Sequence, residues 1–544
     1  MTITETRPEE LTSEPGAVSA GPGVVAGWLT TADHTRIGRL FVGVSLLSSL
    51  GVLVIGTLLT AERVQPGSRY LPADTVDQLT SLMWIGLAFL VVVPLLLGIA
   101  IAVVPLQIGA RSIAFPRAAA LSFWGWLLSG GVLVASYIAN GGPFGGNAEA
   151  VRLFAVSLIV LLAALVVGAA TVAATVVISR APGMDIMDAP PFSFAALVSS
   201  SALVLTLPAL AGRLALIYVD QSYARIVFGG TQGISGQVGW AVLQPQTYVY
   251  GILIIGLMAE LFPVAARTRQ PMRGVVIGGI GIAGVAAVGG VMQGMQTLEL
   301  SGVTPIIVIG RLVVYGITEL LPVLPFLIVL GLGGLAMRTG RPRVSAPFVF
   351  AISGALMGLA GALTGVLTPI SELALAGTVY QEAQATFLFF GALLTGMGAV
   401  TYWGPKLWGR MVPEKAAGGL AVLGLLATVL ASMPYVLAGF LNQPYGAVTW
   451  GPLDGPIQAC NVLVMIGFGL LTLTVLAFAL LVLRAFMGGE RAGADPWDGQ
   501  TLEWALPPPP LGTLADPGWI MSPEPLLDRQ AALGTSDSTA GGGA

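Results

Sequence analysis

Twelve apolar segments, each long enough to cross a lipid bilayer, alternate with short polar stretches along most of the chain. Because a spanning helix needs about 20 mostly apolar residues, we expect one membrane helix from each segment. The segments lie near residues 40–60, 82–106, 118–140, 151–179, 192–217, 237–264, 274–296, 304–334, 345–368, 376–402, 416–440 and 457–485. The pattern predicts an all-α polytopic membrane protein with about 12 transmembrane helices.

Polar sequence flanks this apolar region and divides the chain into three parts. Residues 1–27 are acidic and rich in Gly, Pro, Ser and Thr, which is typical of a disordered tail. Residues 28–486 form the predicted membrane domain. Residues 487–544 form a second tail, rich in Pro and Gly.

Basic residues concentrate after the even-numbered segments. They are Arg111, Arg117, Arg180, Arg267, Arg269, Arg273, Arg338, Arg341, Arg343, Lys406, Arg410, Lys415, Arg484 and Arg491, whereas the opposite loops carry mainly Arg63, Arg69, Arg152 and Arg225. Since Lys and Arg accumulate on the cytoplasmic side, we expect a multi-pass protein of the plasma membrane with both tails cytoplasmic.

Composition narrows the chemistry that the chain can perform. It is 55% hydrophobic and only 9% charged, and its two lysines argue against nucleic-acid binding. One cysteine, Cys460, excludes an internal disulfide. The single histidine, His34, lies beside Asp33 before the first apolar segment, where we expect it to be solvated. Haem iron and copper are mostly held by imidazoles, so this chain alone cannot build a site that needs two of them.

Several motifs resemble subunit I of the haem-copper oxidases. Gln244-Pro245-Gln246-Thr247-Tyr248, with Glu260 sixteen residues after Gln244, is similar to the sixth-helix motif of that family, which begins His-Pro-Glu. Further similar stretches are 104–110, 114–117, 180–184, 403–406, 495–497 and 501–504. The resemblance implies the cytochrome c oxidase subunit I-like fold, contact with membrane lipid, and partners similar to subunits II and III.

The resemblance also implies positions for two haems, and neither carries histidine here. Met83 stands at the ligand position of the second helix. On the tenth helix, counting back from Pro405 gives Ala383 and Ala385, and counting forward from Thr378 gives Gln384 and Thr386. Both registers stay open. A thioether ligates haem iron, but usually opposite an imidazole.

The implied copper centre is altered in the same way. Its ligand positions hold Gln244, Met295 and Gln296. Amides are poor copper ligands, and methionine suits only the cuprous ion. Tyr248 matches the family's redox tyrosine, and without a neighbouring imidazole we expect it to be inert. We therefore expect no cofactor; the alternative is haem and copper whose ligands come from elsewhere.

Proton delivery is altered as well. Gln246 replaces the family's acid, and Phe326 falls near its eighth-helix lysine. Ionisable residues inside apolar segments are expensive and suggest function. The main buried polar candidates are Glu260, Arg311, Glu319 and Glu382, with Arg213 and Glu372 as further ones. Glu319 and Glu382 are expected to be neighbours if the eighth and tenth helices pack as in the family.

Three functions are compatible with this pattern. We expect a redox-inactive structural or assembly subunit of a respiratory-type complex, without oxidase activity. Vacated haem volume would be filled by large apolar side chains, helix collapse or lipid, because cavities are destabilising. The alternatives are an active terminal oxidase with atypical ligands and a small-molecule or ion transporter that uses the vacated cavity.

Overall fold

A computed structural model describes residues 27–28, 30–64, 71–143, 145–223, 249–292, 298–299, 302, 304–446, 455–505, 520 and 522–528. Twelve helical elements make up the described part of the predicted membrane domain. They are α1 His34–Val64, α2 Thr75–Gln107, α3 Pro116–Ile138, α4 Ala148–Ile178, α5 Pro191–Ser222, α6 Val249–Ala266, α7 Arg273–Met292, α8 Pro305–Thr339, α9 Ala346–Leu367, α10 Tyr380–Trp408, α11 Glu414–Phe440 and α12 Gly455–Gly488.

Each of these helices falls on one of the apolar segments, so the predicted fold class is confirmed. Ten are long and apolar enough to cross a membrane as single helices. Helix α8 is a bent pair, Pro305–Leu320 and Val323–Thr339, with 42° between its halves. Helix α7 is the shorter apolar helix of the set. The predicted start of the sixth helix, residues 237–248, lies outside the described residues.

Helices α2, α6 and α10 form the centre of the domain. The most apolar windows of α2 and α6 are completely buried by other helices, and that of α10 nearly so. In α12, by contrast, only a third of the window is buried. A helix that is apolar all round suits either a protein core or lipid. Hydropathy alone therefore does not distinguish the central helices from the outer ones.

Small residues bring α1 and α2 into backbone contact. A Cβ added to Gly98 would lie 2.4 Å from Cβ of Phe41, and one added to Gly38 would lie 2.5 Å from the carbonyl oxygen of Gly98. Membrane helices pack closely through such residues because lipid supplies no hydrophobic drive between them.

Helix α2 contains a π-helical turn, Leu87–Val92. The indole Nε1 of Trp126 on α3 donates a 2.8 Å hydrogen bond to the carbonyl oxygen of Phe89 within this turn. Wider turns of this kind leave backbone groups that need other partners, and they often occur at functional sites. A second π-helical turn, Gly316–Leu320, lies at the bend of α8.

Part of the predicted C-terminal tail packs against the membrane domain. Trp497 donates a 3.0 Å hydrogen bond from Nε1 to the carbonyl oxygen of Tyr402, and Gln500 donates one of 3.0 Å to that of Pro263. Trp497 and Trp504 are buried. Residues 495–505, which we term the C-terminal strap, therefore cover the ends of α6 and α10. The N-terminal tail, residues 1–26, lies outside the described residues.

Candidate functional site

Met83, at the implied second-helix haem position, is packed between helices. It is only 6% exposed. A Cβ added to Gly56 on α1 would lie 3.2 Å from Sδ of Met83 and 2.6 Å from the ring of Phe468 on α12. The ring of Phe468 in turn meets that of Phe390 on α10 edge to face, at 5.2 Å between centroids. The thioether thus lies among apolar groups from neighbouring helices.

On α10, the two possible registers give different surroundings but no strong metal ligand. Ala383 and Ala385 are buried methyl groups. The Thr386 hydroxyl donates a 3.0 Å hydrogen bond to the Ala383 carbonyl oxygen on its own helix. The amide of Gln384 faces α9, where a Cβ added to Gly365 would lie 2.7 Å from its Nε2.

Aromatic rings occupy the interior next to these positions. The ring of Phe389 on α10 lies 6.0 Å from that of Trp84 on α2 and 5.2 Å from that of Tyr250 on α6, measured between centroids. These rings place large side chains in contact with one another between the three central helices.

Two small cavities lie beside this cluster. One, of about 20 Å³, is lined by Glu319, Phe326, Gln384 and neighbouring residues, and the other, of about 10 Å³, by Ser199, Ser200, Tyr250 and their neighbours. Pockets that hold organic ligands usually measure about 300–1,000 Å³. Each of these two has room for about one water molecule.

Phe326 fills the place at which the resemblance implies a lysine. Its ring would lie 2.5 Å from a Cβ added to Gly358 on α9. The side chain is 4% exposed and carries no proton to transfer.

The other implied copper and proton positions are not part of this geometry. Gln244, Gln246, Tyr248, Met295 and Gln296 lie outside the described residues, and their roles stay predictions.

Glu382, at the start of α10, forms a buried ion pair with Arg63 at the end of α1. Nη1 and Nη2 of Arg63 donate hydrogen bonds of 2.8 and 2.9 Å to the two carboxylate oxygens. Nη1 also donates a 2.6 Å hydrogen bond to the hydroxyl of Tyr435 on α11. The backbone N–H of Gly446 donates a 3.0 Å hydrogen bond to Glu382. Both side chains of the pair are less than a tenth exposed.

Further polar groups connect this ion pair to α12. Gln443 donates a 3.1 Å hydrogen bond to Oδ1 of Asn461, and Asn461 donates one of 3.5 Å to the carbonyl oxygen of Arg63. The network joins α1, α10, α11 and α12 at one end of the domain. Glu382 therefore serves as a structural counter-ion.

Glu319 is a second buried acid, on α8. It is 3% exposed in the π-helical turn of α8 and lines the 20 Å³ cavity together with Gln384. Gln384 lies two residues after Glu382 on α10, and the expectation that Glu319 and Glu382 are neighbours stays a prediction.

Glu260 belongs to a second buried polar cluster, at the opposite end of α10. The hydroxyl of Thr501, in the C-terminal strap, donates a 3.1 Å hydrogen bond to Oε1 of Glu260. Glu503 of the strap accepts a 3.1 Å hydrogen bond from Gln107 on α2 and a 3.0 Å hydrogen bond from the indole of Trp403 on α10. Burial raises the pKa of the Glu503 carboxyl, and the hydrogen bonds from Trp403 and Gln107 offset part of that effect.

The remaining ionisable candidates are less deeply buried, with the exception of His34. Arg311 is partly exposed and contacts Glu299, Glu372 is exposed after α9, and Arg213 is half-buried on α5. His34 begins α1 and is 7% exposed, so the prediction of a solvated imidazole is wrong. Its polar neighbours in sequence gave no sign that the folded chain would cover it. Among the described residues, no three His, Cys, Asp or Glu side chains form a group that could hold a metal.

The chain also matches known proteins. The family model described as cytochrome c and quinol oxidase polypeptide I matches residues 36–470. The chain belongs to this oxidase subunit I family.

Relatives of this subunit I-like chain share about a quarter of its residues. It is 26% identical over 521 residues to cytochrome c oxidase subunit 1 of Bacillus subtilis, which covers 91% of this chain and 82% of the relative. It is 27% identical over 537 residues to putative cytochrome c oxidase subunit 1-beta of Streptomyces coelicolor, covering 92% and 90%. A solved haem-copper terminal oxidase dimer has the same fold, with a TM-score of 0.66 and 12% identity, covering 91% of this chain and 89% of the solved one.

The haems implied by this family do not fit the described side chains at the matching positions of α2 and α10. One imidazole exists in the chain, and it lies at the start of α1 rather than on α2 or α10. Met83 is buried against Gly56 of α1, and the described tenth-helix positions offer methyl, amide and hydroxyl groups. Soft or imidazole ligands are what iron and copper need.

Sequence reasoning missed the partners of the buried acids. In the sequence, Arg63 is one of the few basic residues of an outer loop, and Glu503 is part of a terminal motif. One signal was present: Arg63 and Glu382 lie at ends of apolar segments that face the same side of the membrane. Each of these charges needs a counter-charge when it is buried, but no spacing rule connects residues so distant in sequence.

Proposed function

We propose that this chain is a redox-inactive member of the subunit I family that acts as a structural or assembly subunit of a respiratory-type membrane complex. The observation that carries the proposal is the packing at Met83. The Met83 side chain is buried, and both its sulfur and the ring of Phe468 on α12 lie against the backbone of Gly56 on α1.

The interior next to Met83 supports the same conclusion. Phe389, Trp84 and Tyr250 fill the space between α2, α6 and α10. The cavities beside them hold about one water each. A chain that kept the scaffold of an oxidase and replaced cofactor volume with side chains retains the outer helix surfaces that partners recognise.

The proposal includes location and partners. The chain lies in the plasma membrane with both tails cytoplasmic, as the distribution of basic residues favours. Its partners are proteins similar to oxidase subunits II and III, together with membrane lipid. The C-terminal strap then closes the cytoplasmic end of the domain.

The proposal is tested by purifying the full-length chain with whatever proteins accompany it. We expect no Soret absorbance, less than stoichiometric iron and copper by elemental analysis, and membrane proteins of the oxidase type in the co-purified material. Stoichiometric haem and copper in the isolated chain would establish instead an active terminal oxidase with atypical ligands. If haem or copper were found only in preparations that contain a partner protein, the partner would supply the ligands.

A second candidate, ion or small-molecule transport, is favoured by one observation. Glu319 is buried in a π-helical turn beside Gln384, and both line a water-sized cavity at the bend of α8. Carboxylates at membrane depth often mark ion pathways. In proteoliposomes, transport would require that Glu319→Gln abolish flux. Glu382→Gln would impair flux only through folding, since Glu382 is held by Arg63.

A further inference from the structure

An open hollow of about 640 Å³ lies between the end of α2, the start of α3 and the end of α4. Its wall is formed by residues 109–116 and 178–182. This is the end of the domain at which basic residues concentrate. Its volume is within the range of about 300–1,000 Å³ that is typical of ligand pockets.

Two arginines at the hollow have their charge available. Arg111 in its wall and Arg117, one residue beyond its rim at Pro116, are both exposed. Among the described residues, neither guanidinium has an ion pair or a hydrogen-bond partner. The lining residues include no carboxylate that would neutralise them.

Arg180, at the end of α4, makes that side of the hollow compatible with an anion. Its guanidinium donates hydrogen bonds of 2.6 and 3.0 Å to the carbonyl oxygens of Val176 and Val177, and one of 3.1 Å to that of Met184. The carbonyl end of a helix repels anions, and a cation placed there offsets this effect. The end of α4 therefore does not oppose negative charge in the hollow.

Apolar side chains border the same hollow. Phe115 and Ile178 line it and are 64% and 66% exposed. They lie at the end of the loop before α3 and in the last turn of α4, where the helices leave the membrane. Exposed apolar groups beside free arginines match a ligand that has both an anionic head and an acyl chain.

We propose that this hollow binds the headgroup of an anionic phospholipid, with the phosphate at Arg111 and Arg117 and an acyl chain along Phe115 and Ile178. Arginine binds phosphate oxygens in a fork-like geometry, and basic pockets at the cytoplasmic ends of membrane helices bind acidic lipid headgroups. A free phosphate ion shares the headgroup chemistry but has nothing to place against the apolar rim.

The test uses the full-length protein in phosphatidylcholine nanodiscs that contain increasing phosphatidylglycerol. We expect the protein to retain phosphatidylglycerol after exchange into detergent, as counted by native mass spectrometry. The double variant Arg111→Gln/Arg117→Gln should bind it about 25-fold more weakly, about fivefold for each charge. The matched control Arg338→Gln/Arg343→Gln removes two exposed charges from the same predicted face and should retain the lipid.

Three results would overturn the proposal. Equal retention of phosphatidylcholine would remove the requirement for an anionic headgroup. Displacement of the lipid by millimolar inorganic phosphate would indicate a site for soluble anions. An equal loss in the control pair would indicate diffuse attraction to the whole basic face. Because Arg111 and Arg117 make no hydrogen bonds to described residues, both variants should fold, and unchanged lipid-free melting temperatures would confirm this.

Discussion

The guanidinium of Arg63 and the carboxylate of Glu382 meet through two parallel hydrogen bonds, of 2.8 and 2.9 Å. The pair joins the end of α1 to the start of α10 and is stacked on Tyr435, whose ring centroid lies 5.5 Å from the guanidinium carbon. Charges shielded from water to this degree depend on each other, because either one alone would lack a counter-charge.

Removing one partner of this ion pair should destabilise the protein strongly. We expect Glu382→Gln or Arg63→Met to lower the free energy of unfolding by about 3–5 kcal/mol, since each leaves a buried charge uncompensated. The double variant Arg63→Met/Glu382→Leu should be more stable than either single variant. Thermal melting in detergent measures all three.

An exposed ion pair supplies the control for that experiment. Arg152 contacts Glu149 one turn away on α4, and the Glu149 side chain is 81% exposed. Glu149→Gln should change stability by less than about 1 kcal/mol. If Glu382→Gln were equally mild, the buried pair would not hold the helices together.

Met83→Leu should leave both the fold and the absorbance spectrum unchanged. The two side chains have similar volumes, and such exchanges usually cost less than about 1.5 kcal/mol in a core. A Met83 that ligated iron would lose an absorption band on substitution. The comparison is a visible spectrum of both proteins at equal concentration, with the melting temperature recorded alongside.

Gly38→Ala should destabilise the contact between α1 and α2. The added methyl group would lie 2.5 Å from both Cβ of Ala102 and the carbonyl oxygen of Gly98, and the backbone at Gly98 cannot rotate away. Overpacking of this kind costs about 1–3 kcal/mol.

Gly51→Ala, on the same helix, has nothing within 4 Å of the new methyl group and provides the matched comparison. It should be neutral or stabilising by up to about 1 kcal/mol, because alanine favours helix more than glycine does. Equal melting temperatures for the two variants would contradict close packing of α1 on α2.

Rising pH should loosen the C-terminal strap. Burial raises the pKa of Glu503 above its ordinary 4.5, and burial also raises the pKa of Asp495 in the same strap. The folded protein thus holds protons that the unfolded chain releases, so this stability is complete below the unfolded pKa. This contribution to stability is lost as the pH rises from 4.5 through the pKa of Glu503 in the folded protein.

Glu503→Gln should flatten this pH dependence while it keeps an acceptor oxygen for Trp403 and Gln107. Glu414→Gln, at an exposed position in the first turn of α11, should leave it intact. Melting temperatures measured between acid and neutral pH give the slopes. Parallel curves for wild type and Glu503→Gln would mean that another group titrates.

The fold could be predicted from sequence because each helix must satisfy its own backbone hydrogen bonds inside lipid. The apolar segment near 457–485 therefore matches α12, Gly455–Gly488, to within a few residues. The break in α8 could not be read with the same precision. Pro322 and Pro325 mark the region, but neither reveals the π-helical turn that precedes them.

Side-chain partners were the part that sequence did not specify. Hydropathy treats Glu260 and Glu382 alike, as charges in apolar segments. In the folded chain Glu382 pairs with Arg63, whereas Glu260 accepts a hydrogen bond from Thr501 of the strap. His34 was misjudged for a related reason: burial depends on which distant segment covers a residue. Three-dimensional packing decides all three cases.

The strap also imposes an order on biosynthesis. Gln107 and Glu503 are 396 residues apart, so the amide of Gln107 has left the ribosome long before its acceptor is translated. The indole N–H of Trp403 donates to the same oxygen, so it too lacks its acceptor until Glu503 has been translated. Until the last helix has been inserted and the strap has emerged, this end of the bundle lacks the residues that cover it. A prematurely terminated chain would thus carry exposed donors that quality-control proteases could distinguish from the finished protein.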